Sequence, residues 1–252
     1  MNQLSRKNNI LLIVFCVLLG TSGCAIFALR NISKADFTTT TLNLNRQNLS
    51  IIPPDVLALE NLEQLRMYKT GLTEVTPEIN KLTNLRKLYL GKNELKTLPK
   101  EIGDLQFLEV LSIPYNSLDS LPSSIGKLKR LEHLVLDQNN LKMLPDAIGK
   151  LPNLKTITVS FNELDTIQPA LFESGSIEIL NLNFNQINSI PTEIANLTNL
   201  HELYLENAGF LLKLPDELCD IRRFDVLVVD QSIQVPRCLF VRSLHNFRLI
   251  IR

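Results

Sequence analysis

The chain has 252 residues, of which 45% are hydrophobic and 21% are charged, so it is long enough and apolar enough to bury a sizeable core. Its 26 Lys and Arg residues balance its 26 Asp and Glu residues, and this neutrality excludes a bulk electrostatic attraction to nucleic acid. No tract rich in Pro, Gly or Ser interrupts the body of the sequence, and we expect one domain behind a short N-terminal segment.

That N-terminal segment is built like a secretory signal. Arg6 and Lys7 precede an apolar stretch over residues 10–19, and small residues then stand directly before Cys24. A basic start, an apolar run and a small-residue site are typical of a signal peptide. The segment resembles a bacterial lipoprotein signal. This resemblance implies a signal peptide over residues 1–23, lipidation of Cys24, and a tether with an N-terminal cap over residues 24–38.

Two other interpretations of the same segment stay open. Residues 10–29 form one 20-residue stretch that could cross a bilayer once, with Arg6 and Lys7 held in the cytoplasm. Cleavage without lipidation would give a secreted protein. All three interpretations place the remaining chain outside the cytoplasm. The lipoprotein interpretation predicts anchoring at the outer membrane or cell surface of a bacterium.

The body of the chain repeats one template every 23 residues. The pattern is L-x-x-L-x-L-x-x-N-x-L-x-x-L-P-x-x-I-x-x-L, and its clearest copy runs from Leu85 to Leu105. The first position of the template recurs at Leu62, Leu85, Leu108, Leu131, Leu154, Ile177 and Leu200. A fixed period in this range is the sequence signature of a solenoid, in which stacked copies bury a continuous core.

Each part of the template predicts a local structure. Leucines two residues apart point to one face of a strand and into the core, while the residue between them faces solvent. The L-P-x-x-I-x-x-L part changes to spacings of three and four, which indicates a short helical segment on the outside. The Asn side chain can pair backbone groups at the turn, so we interpret one set as a structural ladder. This ladder consists of Asn93, Asn116, Asn139, Asn162 and Asn185.

The template resembles the leucine-rich repeat family, in the 23-residue class with an internal Leu-Pro. The resemblance implies an α/β fold, a right-handed horseshoe with a parallel β-sheet on the concave face and short helical or 3-10 segments on the convex face. We expect eight repeats over residues 39–223. Residues 224–252 are then a partial ninth repeat, out of register after Val229, and a C-terminal cap. One strand per repeat gives nine parallel strands.

Cys219 at the end of the eighth repeat and Cys238 in the cap lie where the repeat register decays, and two interpretations of them stay open. They are either separate half-buried thiols, since free cysteine is a small apolar residue, or a disulfide that closes the end of the solenoid. Sequence spacing alone does not decide between them.

The sequence predicts neither an enzyme nor a cofactor. It has no phosphate-binding or nucleophile motif and no Cys/His cluster with metal-ligand spacing. His133 and Asp137 lie four positions apart on one predicted strand, hence roughly 13 Å apart, which is too far for a catalytic pair.

Function is therefore expected on the outward-facing positions of the concave face. The column just before the ladder, at the rim, reads Arg46, Lys69, Lys92, Tyr115, Gln138, Phe161, Phe184 and Asn207. The predicted partner-binding residues are Arg46, Arg66, Tyr68, Lys69, Lys87, Tyr89, Lys92, Tyr115, His133 and Asp137. Stacked like charges are unfavourable, so we expect a protein with an acidic patch, a phosphate or a sulfated glycan to bind there.

One further observation supports this hypothesis, and two alternatives to it stay open. Asp137, Glu202 and Glu206 give the far end of the face the opposite charge, which could orient a partner. A structural or adhesive envelope component that self-associates or binds glycan is the alternative function. A solvated polar sheet without any ligand on this face is also compatible with the sequence.

Overall fold

The computed structural model describes residues 38–210, 212–243 and 247–252. The predicted signal peptide, the Cys24 lipidation site and all but the last residue of the tether lie outside the described residues. Within the described ranges, no helix has both the length and the apolar character needed to cross a bilayer.

Ten short strands form one parallel sheet in which each strand pairs with its neighbours in chain order. They are β1 (Thr41–Asn43), β2 (Gln64–Arg66), β3 (Lys87–Tyr89), β4 (Val110–Ser112), β5 (His133–Val135), β6 (Thr156–Thr158), β7 (Ile179–Asn181), β8 (Glu202–Leu205), β9 (Val226–Val229) and β10 (Arg248–Ile251). From β1 to β8 the partner of each residue lies 23 positions further along, as for Leu111 and Leu134. The predicted horseshoe with a parallel sheet is confirmed.

The central residue of each three-residue strand points into the core, and its two neighbours point outward. Leu88, Leu111 and Leu134 are fully buried, as the L-x-L spacing predicts. The core is continuous because every coil covers the apolar side of the coil before it.

Short helices line the convex side between the strands. Helix α1 (Pro54–Leu57) belongs to the first coil. The following coils carry 3-10 helices at Pro77–Lys81, Lys100–Asp104, Ser123–Lys127, Asp146–Lys150, Pro169–Phe172, Thr192–Asn196 and Asp216–Asp220. In five of them a proline directly precedes the first helical residue with φ between −61° and −69°, so the fixed ring geometry sets the entry into the turn.

The C-terminal end differs from the prediction of nine strands. After β9 the chain forms helix α2 (Arg237–Arg242) and then adds β10 to the sheet in parallel. The sequence pattern missed β10 because Leu227 pairs with Leu249, 22 residues later, and because this coil has no Leu-Pro turn. The preceding step, from Leu203 to Leu227, is 24 residues, which reflects the extra residue between Phe210 and Lys213.

Candidate functional site

The Asn ladder holds successive coils together from inside the turn. Asn139 is only 6% exposed, and its Oδ1 accepts a hydrogen bond of 3.0 Å from the backbone N–H of Leu118. Its Nδ2 donates to the carbonyls of Ile113 at 3.0 Å and Leu136 at 2.9 Å. Asn162 and Asn185 bond in the same way. The side-chain amides of these residues thus serve the backbone, which gives them a structural role.

Thr70 and Asn93 show how the second coil manages without its own Asn. The Oδ1 of Asn93 accepts from the hydroxyl and the backbone N–H of Thr70, both at 2.9 Å. It also accepts from the N–H of Leu72 at 3.1 Å. Asn116 keeps the ordinary pattern and accepts from the N–H of Leu95 at 3.0 Å.

The residue before each ladder position has a left-handed backbone conformation, a feature that the sequence analysis did not find. It occurs in eight successive coils, at φ between 50° and 60°, in Arg46, Lys69, Lys92, Tyr115, Gln138, Phe161, Phe184 and Asn207. Only Asn207 is of a type that tolerates this conformation well. The sequence does group these eight residues in one column, the rim column, but a periodic pattern carries no information about the backbone angle φ.

Five basic side chains cluster on the N-terminal part of the concave face and rim, and all are exposed. They are Arg46, Arg66, Lys69, Lys87 and Lys92. Among the residues that the structure describes, none of them has a carboxylate oxygen within 4.0 Å. The Arg66 guanidinium lies 5.0 Å from the ring centroid of Tyr89, which is a cation–π contact. We call these five residues the basic cluster.

A shallow groove lies beside the basic cluster. Its volume is about 190 Å³, and it is lined by Asn45, Arg66, Tyr68, Tyr89, Gly91, Ser112 and Pro114. Gly91 lacks a side chain, and a methyl group at its Cβ position would lie 3.2 Å from the Pro114 ring. The sequence pattern places Tyr68 and Tyr89 beside the basic residues, but it does not reveal the groove that both residues line. Tyr68, Gly91 and Pro114 occupy equivalent positions in three successive repeats, 23 residues apart. The decrease in side-chain size from Tyr68 to Gly91 is the sequence feature that could have indicated a groove here.

The centre of the face holds the remaining predicted residues in different environments. The carboxylate of Asp137 accepts hydrogen bonds from the Thr158 hydroxyl at 2.6 Å and from Ser160, at 2.8 Å from its N–H and 2.5 Å from its hydroxyl. It is therefore engaged within the sheet. His133 is half-buried on β5, and Tyr115 stands on the rim with 51% of its surface exposed.

Acidic side chains at the far end of the face are paired. The Tyr204 hydroxyl donates to Glu202 at 2.6 Å, and this hydrogen bond raises the pKa of the tyrosine above its usual value. Arg252 lies 2.9 Å from a carboxylate oxygen of Glu206. Of the three acidic residues named for this face, Glu206 has a cation within 4.0 Å, whereas Glu202 and Asp137 accept hydrogen bonds from neutral groups.

The opposite rim, where the strands begin, carries compensated charges. Arg86 pairs with Glu109 at 2.6 Å and Lys155 with Glu132 at 2.8 Å, each across adjacent coils. The hydrogen bond from Lys155 lowers the pKa of Glu132, and the same bond raises the pKa of Lys155. This arrangement contrasts with the basic cluster, whose five side chains form no ion pair with any carboxylate in the described part of the chain.

Two phenylalanines form a stack on the rim that the sequence analysis did not select. The rings of Phe161 and Phe184 lie 4.1 Å apart at an interplanar angle of 9°. Phe161 remains 47% exposed, and Phe184 is half-buried. The sequence places both residues in one column but does not show that their rings meet.

The chemistry of the described residues offers no metal site, since no group of His, Cys, Asp or Glu side chains in that part of the chain could hold an ion. The structure joins Cys219 and Cys238 by a disulfide, with their α-carbons 6.1 Å apart. Arg242 fastens the same region by donating to the carbonyls of Cys219 and Ile221 at 2.5 and 2.8 Å.

Comparison with protein families matches two repeat descriptions. A family model described as a leucine-rich repeat region matches residues 74–168, and one described as a leucine rich repeat matches residues 152–209. Neither description names a catalytic domain. Among proteins with curated descriptions, none matches the chain in sequence.

Several solved structures share the solenoid. A leucine-rich repeat protein of Leptospira interrogans is 26% identical, with a TM-score of 0.67 over 89% of this chain and 68% of that protein. The leucine-rich repeat domain of the type III effector XopL is 22% identical, with a TM-score of 0.75 over 91% and 82%. The plant peptide hormone receptor RGFR1, solved in complex with RGF2, is 25% identical, with a TM-score of 0.67. That match covers 84% of this chain but only 39% of the receptor.

Proposed function

Because the chain is a leucine-rich repeat protein, we propose that it is a non-catalytic binding module whose concave face holds a protein partner. The observation that carries this proposal is the exposed basic cluster, which forms no ion pair among the described residues and lies beside a groove with two tyrosines. Stacked strands place equivalent backbone positions of successive coils about 5 Å apart, so the like charges in these columns repel one another and an acidic surface that covers them relieves the repulsion.

The composition of the groove favours a protein as the partner. Tyrosine and arginine are enriched among residues that dominate protein interfaces, and here Arg66 and Tyr89 already pack together. The plant receptor of similar fold was solved in complex with RGF2, which supports a polypeptide ligand. A sulfated glycan shares the negative charge and is the alternative that the experiment below must separate.

We further propose that the repeats are displayed outside the cytoplasm by a lipid on Cys24. The disulfide between Cys219 and Cys238 supports this proposal, since such bonds persist in oxidising compartments. Intact-mass analysis of the membrane fraction is expected to find a chain that begins at acylated Cys24, and Cys24→Ala is expected to remain unprocessed. A mature protein that retains Met1 would overturn the lipid anchor and leave a transmembrane anchor in its place.

The binding proposal is tested with a defined acidic probe, a fluorescent peptide of six consecutive glutamates. At low salt, anisotropy is expected to show binding to the wild type, and affinity should fall steeply as salt is added. The variant Arg66→Glu/Lys87→Glu/Tyr89→Ala is expected to lose binding at an unchanged melting temperature. Loss of an anchoring tyrosine and reversal of two charges together should weaken affinity by more than about 100-fold.

The matched control carries the same change of charge on exposed residues elsewhere, as Lys100→Glu/Lys150→Glu/Met143→Ala. It is expected to bind the peptide as the wild type does. If both variants lost peptide binding equally, the change in net charge alone would explain the loss, and the assignment of the binding site to the concave face would be contradicted. A sulfated oligosaccharide that binds the same residues more tightly than the peptide would replace the protein partner with a glycan.

A further inference from the structure

We infer that the Phe161–Phe184 stack is a second contact site, and that the partner presents an extended polypeptide segment with acidic residues followed by an aromatic residue. This inference rests on the proposed function, because it extends the binding surface from the basic cluster along the same rim. The inference specifies which group of the partner contacts the rim on the C-terminal side of the basic cluster.

The stack is unfavourable in the free protein for two reasons. Both residues have left-handed backbone conformations, with φ of 54° and 53°, which bulky side chains rarely adopt. Asn207 occupies the same position in the next coil, so the turn accepts a smaller polar side chain. Phe161 also leaves 47% of its surface in water. Exposed apolar surface at a strained position is characteristic of an interaction site.

The geometry of the stack suits an aromatic partner group. Because the two rings face each other at 4.1 Å, each has one face covered by the other ring and keeps its edge and its second face. The ring of an aromatic residue packs edge-to-face or offset-stacked against such surfaces.

The distance between the two contacts fixes the length of the partner segment. Lys92 is the last cation of the rim column, and Phe161 lies three coils further along. With strands about 4.8 Å apart, this separation is roughly 14 Å, which an extended chain covers with about four or five residues. The cations lie at the N-terminal end of the rim and the rings nearer the C-terminal end, so the acidic part and the aromatic part of the segment lie in this order along the coils.

The experiment uses a series of labelled peptides and the full chain. Each peptide joins the six-glutamate block to two phenylalanines through a Gly-Ser spacer of one, five or ten residues. The five-residue spacer is expected to improve affinity over the block alone by roughly 5-fold to 10-fold, the size of a typical aromatic contact. The one-residue spacer is expected to give a smaller gain, because the rings reach the stack only if some of the glutamates leave the basic cluster.

The decisive variant is Phe161→Asn/Phe184→Asn, which copies the residue that the chain itself uses at the next rim position. It is expected to keep or raise the melting temperature, to bind the glutamate block normally, and to lose the gain from the phenylalanines. The control Phe107→Asn changes an equally apolar exposed ring outside the rim column and should keep the gain.

The possible results separate the two proposals. A gain that is independent of spacer length, or that survives in Phe161→Asn/Phe184→Asn, overturns the inference while the basic cluster still binds the glutamate block. If the block itself fails to bind the wild type, the proposed function is overturned and the inference falls with it.

Discussion

At the scale of single residues, the same turn contains one position that serves the fold and one that serves the surface. The ladder residue turns inward, and its amide satisfies backbone groups of two coils. The residue directly before it has a left-handed conformation and points its side chain to the rim. Neighbouring residues in sequence therefore have separable roles, and substitutions can test each role alone.

Asn139→Leu is expected to lower the free energy of unfolding by about 1–3 kcal/mol, because it leaves the N–H of Leu118 without a partner in a buried turn. The carbonyls of Ile113 and Leu136 lose one donor each but still accept from the amides of Asn116 and Asn162. Urea denaturation followed by circular dichroism measures this loss. Asn140→Ala, one position further and exposed, is the control and should change stability by less than about 0.5 kcal/mol. Equal losses in the two variants would contradict the structural role of the ladder.

At the scale of secondary-structure elements, the C-terminal cap is where sequence reasoning and structure part. The strands of coils one to eight follow from the leucine spacing alone, because a constant period repeats the same contacts. Strand β10 does not, since its coil is one residue shorter and replaces the Leu-Pro turn with α2. The basic cluster was predictable from columns of exposed positions. The groove and the ring stack depend on side-chain size and rotamers across coils, which a periodic pattern does not contain.

The cap also depends on its disulfide. Cys219→Ser/Cys238→Ser opens a loop with a sequence separation of 19 residues, and the chain-entropy estimate gives a loss of roughly 3 kcal/mol. Hydrogen exchange is expected to become faster in β9 and β10 while β5 keeps its protection, because solenoid coils contact only their neighbours. Uniformly faster exchange along the whole sheet would show that the cap is not a local unit. Arg242 remains as a second fastening in this variant.

At the scale of the whole molecule, the uniform period makes the coils interchangeable. Removing residues 117–139 deletes 23 positions and joins Asn116 to Asn140, which restores the template across the junction. This deletion is expected to fold cooperatively with one strand fewer, at reduced stability, because one interface between coils is lost. A deletion of half that length at the same site should unfold the protein, since it puts core leucines on the outer face. Circular dichroism and thermal melting measure both outcomes.

The constant coil spacing also means that distances on this surface are quantised. The basic cluster and the ring stack are fixed to coils, so the gap between them takes only whole-number multiples of about 4.8 Å. In the binding mode proposed above, side-chain substitution changes the affinity of either contact, yet only gain or loss of a whole coil changes the distance between them. Each added or lost coil changes the distance between the two contacts by the length of one or two extended partner residues. A partner of a lengthened or shortened solenoid would therefore need a segment that is longer or shorter by the same amount.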